Sequence, residues 1–428
     1  MNPTKVLLVG SGGREIALLR ALLKSSLKPE VIVAPGSDAM RDDAICHEVA
    51  VDDIPAMVEL AKNEDVDLCI IGPEVPLAMG LADALIDEGI SVFGPTRAAA
   101  RIESSKTYAK DLMMRAGVPT ARYETFSHLA DALEALEDWP YPLVIKENGL
   151  KAGKGVAIVK SKEEAEAHIS TLDITDELPL LLEEFLEGYE FSLICLVAGR
   201  NFIPLPVAQD YKAIYDHQQG PNTGGMGAVS PIARLDAELY QESIEKVIKP
   251  ILRAMEEDGE PFTGFLYAGL MATENGVQVI EFNARMGDPE AEVILPRLQG
   301  DLLSAIKNLM ATDTPPDSTA WETEFPLDPQ TSLGVVLSSP GYPGAVTSYP
   351  LIPDEFLDEA ISEGIEAIHM GTKRVSGGYQ AAGGRVLMLT CTGADIADCR
   401  SKIYGFLEEH KGLISDFHYR TDIGLAAQ

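Results

Sequence analysis

Positive charge is scarce in this chain. It carries 34 Lys and Arg against 67 Asp and Glu, a formal net charge of −33, and that balance excludes a protein that holds DNA or RNA through a basic surface. Cysteine is nearly absent: five residues, at 46, 69, 195, 391 and 399, stand without metal-ligand spacing. Their odd number, with no secretion signal, points to reduced thiols in a cytosol. No apolar run approaches the roughly 18 to 20 residues of a membrane span. The apolar part of the N-terminus, Val6–Gly10, is too short for a signal peptide. The seven histidines are scattered without ligand or triad spacing, and Gly-x-Ser-x-Gly does not occur, so serine hydrolysis lacks support. A cytoplasmic protein with neither membrane nor nucleic-acid partner is expected. Internal repeats and low-complexity segments are missing too.

What remains describes an ordinary globular chain, 46% hydrophobic, whose 428 residues exceed one core and imply two to four domains. Strand-like runs at Val6–Gly10, Val31–Ala34, Leu68–Ile71 and Val92–Phe93 alternate with helical stretches, near 54–63 and across 76–88 among them. Each run ends in Gly or Pro. Such alternation predicts a doubly wound parallel sheet, whose ligands bind at the carboxyl ends of the strands. A dinucleotide site is disfavoured because Glu15 stands where G-x-G-x-x-G needs its third glycine. The second strand also ends in Ala34-Pro35-Gly36 rather than an acidic residue. The amides of Gly12 and Gly13 at a helix start could instead hold a substrate phosphate.

Residues 96–118 read as a polar helix with Lys106 and Lys110 one turn apart. Strand and helix then alternate to 190, and mostly strands follow, including Phe191–Val197, Gly264–Thr273 and Val277–Asn283, with a helix near 236–257. Pro315-Pro316 opens a polar linker to about 330. The last hundred residues carry strands at 333–338 and 385–392 and a helix near 394–410. The expected division is an N-terminal unit 1–103, a connecting helical segment 104–122, a small unit 123–190, a central unit 191–325 and a C-terminal unit 326–428.

The most informative stretch is 144–156, Val-Ile-Lys-Glu-Asn-Gly-Leu-Lys-Ala-Gly-Lys-Gly-Val. Glycines at 149, 153 and 155 let backbone N–H groups approach an anion, and Lys146, Lys151 and Lys154 add compact positive charge. That reads as a polyphosphate grip, with a solvated hairpin turn as the alternative. It is not a P-loop, since Gly155 and Val156 follow Lys154 where Ser or Thr belongs. Glu184, Leu186 and Glu190 have the spacing for an adenine amino group, a backbone amide contact and a ribose; a solvated acidic connector is the other reading. Glu281 and Asn283 share one face of a strand, two hard oxygen donors suited to Mg²⁺ beside phosphates. Arg285, Asp288 and Glu290 follow at once. Asp210-Tyr-Lys212 precedes the glycine-rich Gly220–Gly227 with Asn222, Thr223 and Gly224, either a loop over a small polar ligand or a mobile surface loop.

Together these segments resemble the phosphoribosylamine–glycine ligase family of the ATP-grasp superfamily, over about residues 5 to 424. The resemblance rests on Gly12-Gly13-Arg14-Glu15, Gly72-Pro73-Glu74, Ser105-Lys106, Ala152–Val156, Glu183–Leu186, Gly220–Gly227, Gly264–Leu270, Glu281–Asn283, Gly287–Glu290, Gly371-Thr-Lys373 and Gly383-Gly-Arg385, in order and spacing. It implies an α/β ATP-grasp fold: an N-terminal doubly wound parallel-sheet domain, a small α+β lid, a central ATP-grasp domain and a C-terminal α+β domain. The implied activity joins glycine to 5-phosphoribosylamine at the expense of ATP, through glycyl phosphate, in purine synthesis. Small-molecule substrates, Mg²⁺ or Mn²⁺, and a monomer are expected.

By the same resemblance Lys110, Lys146, Gly153, Lys154 and Gly155 face the phosphates of ATP, while Glu184, Leu186 and Glu190 hold its nucleoside. Glu281 and Asn283 hold the metal. Arg285, Lys146, Asp210 and Lys212 are the catalytic candidates, Asp210 as holder of the glycine ammonium group. Gly12, Gly13, Glu74, Asn222, Thr223, Gly224, Lys373 and Arg385 are the substrate-binding candidates, with Lys373 and Arg385 on the sugar phosphate. The chain departs from the family pattern at Ile16 (His in the family), in the 35–40 turn, at Glu147, at Ala213 and at Ala284. Those near the acceptor pocket leave open a ligase with another amine or amino acid; a nucleotide-binding protein without turnover is the remaining alternative.

Overall fold

In a computed structural model, residues 4–150, 155–312 and 325–425 are described. The N-terminal strands form a five-stranded parallel sheet in the order Ile45–Cys46, Glu30–Pro35, Lys5–Gly10, Leu68–Ile71, Ser91–Phe93. Val6–Val9 and Leu68–Ile71 are buried on both faces, as continuous apolar runs between helices should be. The strand order reverses between Lys5–Gly10 and Leu68–Ile71, so the crevice of the sheet opens above Gly10 and Gly72. The helix expected across 76–88 is broken. Gly80, at φ +90°, closes the helix Glu74–Met79 and starts Leu81–Asp87, because glycine adopts a left-handed cap freely. Ser105 likewise interrupts the 96–118 reading, leaving the helices Arg101–Ser104 and Lys106–Ala116.

A four-stranded antiparallel sheet follows, ordered Tyr123–Phe126, Leu180–Glu184, Leu143–Glu147, Val156–Val159. Its apolar face packs on helices Leu129–Ala135 and Lys162–Ile169 in a core of its own, around Leu143, Ile145, Leu180 and Leu182. The central sheet, Asn201–Pro204, Tyr189–Ala198, Thr263–Thr273 and Gly276–Asn283, is antiparallel and shares one hydrophobic core with the N-terminal sheet. The last sheet runs Gln209–Asp210, Gly227–Ser230, Thr331–Ser338, Arg385–Gly393, Glu366–His369. Two of its strands come from the segment that sequence places in the central unit. The loop between them, 211–226, is thereby anchored in the C-terminal layer while reaching toward the central sheet.

Candidate active site

A cavity of about 510 Å³ lies where the small sheet, the central sheet and the N-terminal helices meet. Sixteen of the sequence candidates line it: Lys110, Lys146, Gly155, Glu184, Leu186, Glu190, Asp210, Lys212, Asn222, Thr223, Gly224, Glu281, Asn283, Arg285, Glu74 and Arg385. Lys151, Gly153 and Lys154 lie outside the described residues. Gly12, Gly13 and Lys373 do not reach the cavity wall. Lys373 is exposed on the strand Thr372–Val375. The Gly12 amide is already used, donating to Glu15 Oε2 at 2.8 Å. Glu15, paired with Arg14 Nε at 2.5 Å, fills the crevice beside Gly10 and Gly72, where an added Cβ would meet its carboxylate. The chain's own anion therefore occupies the nook that the Ser-Gly-Gly turn suggests for a phosphate.

At one end of the cavity two lysines share one carboxylate. Glu183 Oε2 lies 2.8 Å from Lys146 Nζ and 3.1 Å from Lys110 Nζ, and all three side chains are buried. Lys146 also donates to the Ile280 carbonyl, and Lys110 to Thr120 Oγ1 at 2.7 Å. Burial pushes the Lys110 ammonium down to about 8, with Glu183 opposing and Lys146 adding to the fall. Glu183 is a residue sequence reasoning missed, although a signal existed. Strand alternation puts Leu180 and Leu182 in the core of the small sheet, so Glu183 must face the other way, opposite Val144 and diagonal to Lys146, which shares that face. Glu184, the sequence candidate for the nucleoside, is exposed at the strand end and lines the cavity as well.

Glu281 and Asn283 stand at alternate positions of Gly276–Asn283, with Phe282 turned into the core. Although burial opposes it, Lys212, Lys146 and Lys106 hold the Glu281 carboxyl below its ordinary range. Its only hydrogen bond among the described residues is a long one from Asn283 Nδ2, at 3.5 Å. An ionised carboxylate and an amide oxygen on one face are a hard donor set that fits a divalent cation sharing its shell with phosphate.

Arg285 is clamped by two carboxylates, Glu74 at 3.3 Å and Glu103 at 3.2 Å. Against the penalty of burial, Glu103 and Glu74 keep its guanidinium firmly charged. Glu103, also missed from sequence, accepts from the Ala284 amide at 2.8 Å with its second oxygen. Its tie to Arg285 spans 182 residues of chain, so no local pattern could reveal it. Lys212 pairs with Glu190 at 2.8 Å. Burial pushes the Asp210 carboxyl up to about 7; Lys212 opposes, while Glu290 and Glu190 add to the rise. Arg385 reaches Asp288 at 2.9 Å and the Gly224 carbonyl at 2.7 Å. The cavity thus sets cations from the N-terminal helices, the small sheet and the C-terminal layer around buried carboxylates, an arrangement able to bind a polyphosphate and a small zwitterion.

Family models for phosphoribosylglycinamide synthetase match in sequence order: the N domain over residues 4–103, the ATP-grasp (A) domain over 104–291 and the C domain over 332–426. The phosphoribosylamine–glycine ligase of Lactococcus lactis is 40% identical, covering 99% of this chain and all of its own. That of Halalkalibacterium halodurans is 39% identical over 99% and 97%. Among solved structures, the phosphoribosylamine–glycine ligase of Thermotoga maritima superposes with a TM-score of 0.80 at 31% identity, covering 98% of this chain and 100% of that one. The biotin carboxylase domain of Hydrogenobacter thermophilus 2-oxoglutarate carboxylase, determined with MgADP, shares the fold at TM-score 0.70 and 19% identity. With full-length relatives at this identity and three family domains in register, this chain belongs to the phosphoribosylamine–glycine ligase family.

Proposed function

We propose that this protein ligates glycine to 5-phosphoribosylamine with ATP, giving glycinamide ribonucleotide, ADP and phosphate. The observation that carries the reading is the single cavity that joins the Lys110–Glu183–Lys146 cluster to Glu281 and Asp210. A glycine carboxylate oxygen attacks the γ-phosphorus of ATP; the bond to the β,γ-bridging oxygen breaks and ADP leaves. The amine of phosphoribosylamine then adds to the carbonyl carbon of glycyl phosphate, loses a proton, and expels phosphate. Phosphoryl transfer asks chiefly for positioning and charge neutralisation. Lys146, Lys110 and Arg285 supply positive charge, and Glu184, Leu186 and Glu190, which line the same cavity, are assigned to the nucleoside. Glu281 and Asn283 would hold Mg²⁺ or Mn²⁺, which when bound neutralises phosphate charge. Asp210, which lines the cavity, is assigned the glycine ammonium group, whose positive charge would favour the carboxylate form. Asn222, Thr223 and Gly224, with Glu74 and Arg385, line the side assigned to the acceptor. The reading includes a monomeric, cytoplasmic enzyme.

A changed acceptor has no support at the cavity wall. Ile16 is buried in the hydrophobic core, and neither the 35–40 turn nor Ala213 is among the lining residues. The test is ADP release by purified protein given ATP, Mg²⁺, glycine and freshly made phosphoribosylamine. Release must require all four; ADP formation indifferent to glycine and the amine would refute the reading.

A further inference from the structure

The loop that carries Lys212, Asn222 and Thr223 holds two consecutive non-glycine residues in the left-handed region, His217 at φ +58° and Gln218 at φ +57°. Side chains rarely adopt that conformation unless their surroundings impose it. Here the surroundings are the last described residues of the chain. Asp422 accepts from the His217 amide at 2.8 Å. Arg420, fully buried, forms two parallel 2.7 Å bonds to Asp422 and donates to the Ala213 carbonyl at 3.0 Å and to Gln218 Oε1 at 3.1 Å. Asp216 accepts from the Thr421 amide at 2.8 Å, and the Gly424 amide donates to Tyr211 Oη at 2.9 Å. The contacts thus hold both ends of the 211–218 stretch and both strained residues.

The far end of the same loop is the cavity wall. The Thr223 amide and hydroxyl both donate to the Lys212 carbonyl, at 2.7 and 2.8 Å. Displacing either strand of this narrow ladder therefore displaces Lys212 and Thr223 together.

We infer that residues 418–424 form a strut that sets the acceptor side of the active site, with Arg420 and Asp422 as positioning residues for Lys212 and Thr223. This rests on the ligase reading above and adds to it a remote element. An enzyme whose nucleotide end is built by the small sheet and whose acceptor end is braced by the C-terminal tail should lose the two functions separately. A purely structural tail would lose them together.

Asp422→Asn is the deciding variant, since it keeps the side-chain size and removes the charge that orders Arg420. The expected result is a KM for glycine or phosphoribosylamine raised at least fivefold, a smaller loss of ATP affinity, transmitted through the Lys212–Glu190 pair, and faster hydrogen exchange at amides 213–219. Unchanged acceptor KM, or a loss of ATP affinity and turnover in step with the unfolded fraction, overturns the strut. If Asp422→Asn does not fold, Gln218→Ala decides by the same criteria, because it removes one contact and leaves the Arg420–Asp422 pair intact. If the parent protein shows no glycine-dependent ADP release, the ligase reading fails. The exchange measurement then still decides by itself whether the tail orders the loop.

Discussion

Glu183 shows how much one buried side chain governs in this site. Two ammonium groups within about 3 Å of one carboxylate are tolerable only as a set, so Glu183→Ala should cost about 3 kcal/mol or more by leaving buried charge unpaired. The pH dependence follows from Lys110. Its ammonium, at about 8 in the folded protein against 10.5 as a free side chain, is lost as pH rises through 8, while a bound polyphosphate favours the charged form. ATP affinity should therefore fall above pH 8, by at most about tenfold per pH unit, and Lys110→Arg should flatten the profile, because arginine stays charged. Folding stability runs the other way, since the folded state holds fewer protons on this group between pH 8 and 10.5. Isothermal titration of ATP from pH 7 to 9.5 checks the sign; an affinity independent of pH in the parent excludes it. Glu103 acts through Arg285. Glu103→Gln should lower kcat by about 100-fold through misplacement of the guanidinium, with ATP affinity retained. A loss in ATP affinity alone would contradict that role.

At the level of elements, the glycine turn and the connecting helix are tied to each other. Asn148 Oδ1 accepts from the Lys106 amide at 2.8 Å and caps the helix Lys106–Ala116, while Lys106 Nζ donates to the Gly149 carbonyl at 2.9 Å. A side chain of the turn thus satisfies helix donors that would otherwise be orphaned. Asn148→Ala should cost about 1 kcal/mol of stability and raise the KM for ATP, whereas Asn148→Asp should keep the cap and gain from the helix dipole. Thermal melts with ATP titrations separate the two; equal losses in both variants would show the cap to be unimportant. Alternating and helical patterns made most elements legible beforehand. The breaks at Gly80 and Ser105 were less so, since a single residue inside a periodic stretch leaves the hydrophobic pattern intact. The strands Gln209–Asp210 and Gly227–Ser230 were not legible as strands, and the pairing of Gly227–Ser230 with Thr331–Ser338, about 100 residues on, leaves no local trace.

For the whole molecule, the net charge of −33 sets a self-repulsion that salt should relieve. Between 0.1 and 1 M KCl the screening length falls from about 10 to about 3 Å, so the thermal midpoint should rise by about 3 °C or more. A flat or falling midpoint would mean that the acidic surface is already compensated by local pairing. The shared core of the N-terminal and central sheets predicts that these unfold together, while the small sheet, with its separate core, can move as a body over the cavity.

Local composition and spacing were enough for the fold class, the strand-helix alternation and the alternating Glu281–Asn283 pair. These depend on periodicities of two and 3.6 residues and on the chemistry of neighbours along the chain. Which carboxylate each cation meets lay beyond them. Glu183 between two lysines, Glu103 against Arg285, Glu15 in the crevice of the parallel sheet, and the tail bonded to residues 211–218 all depend on contacts that chain order leaves undetermined. Such contacts arise only when packing closes the molecule, because burial makes an unpaired charge too costly to leave and so selects partners by position in space.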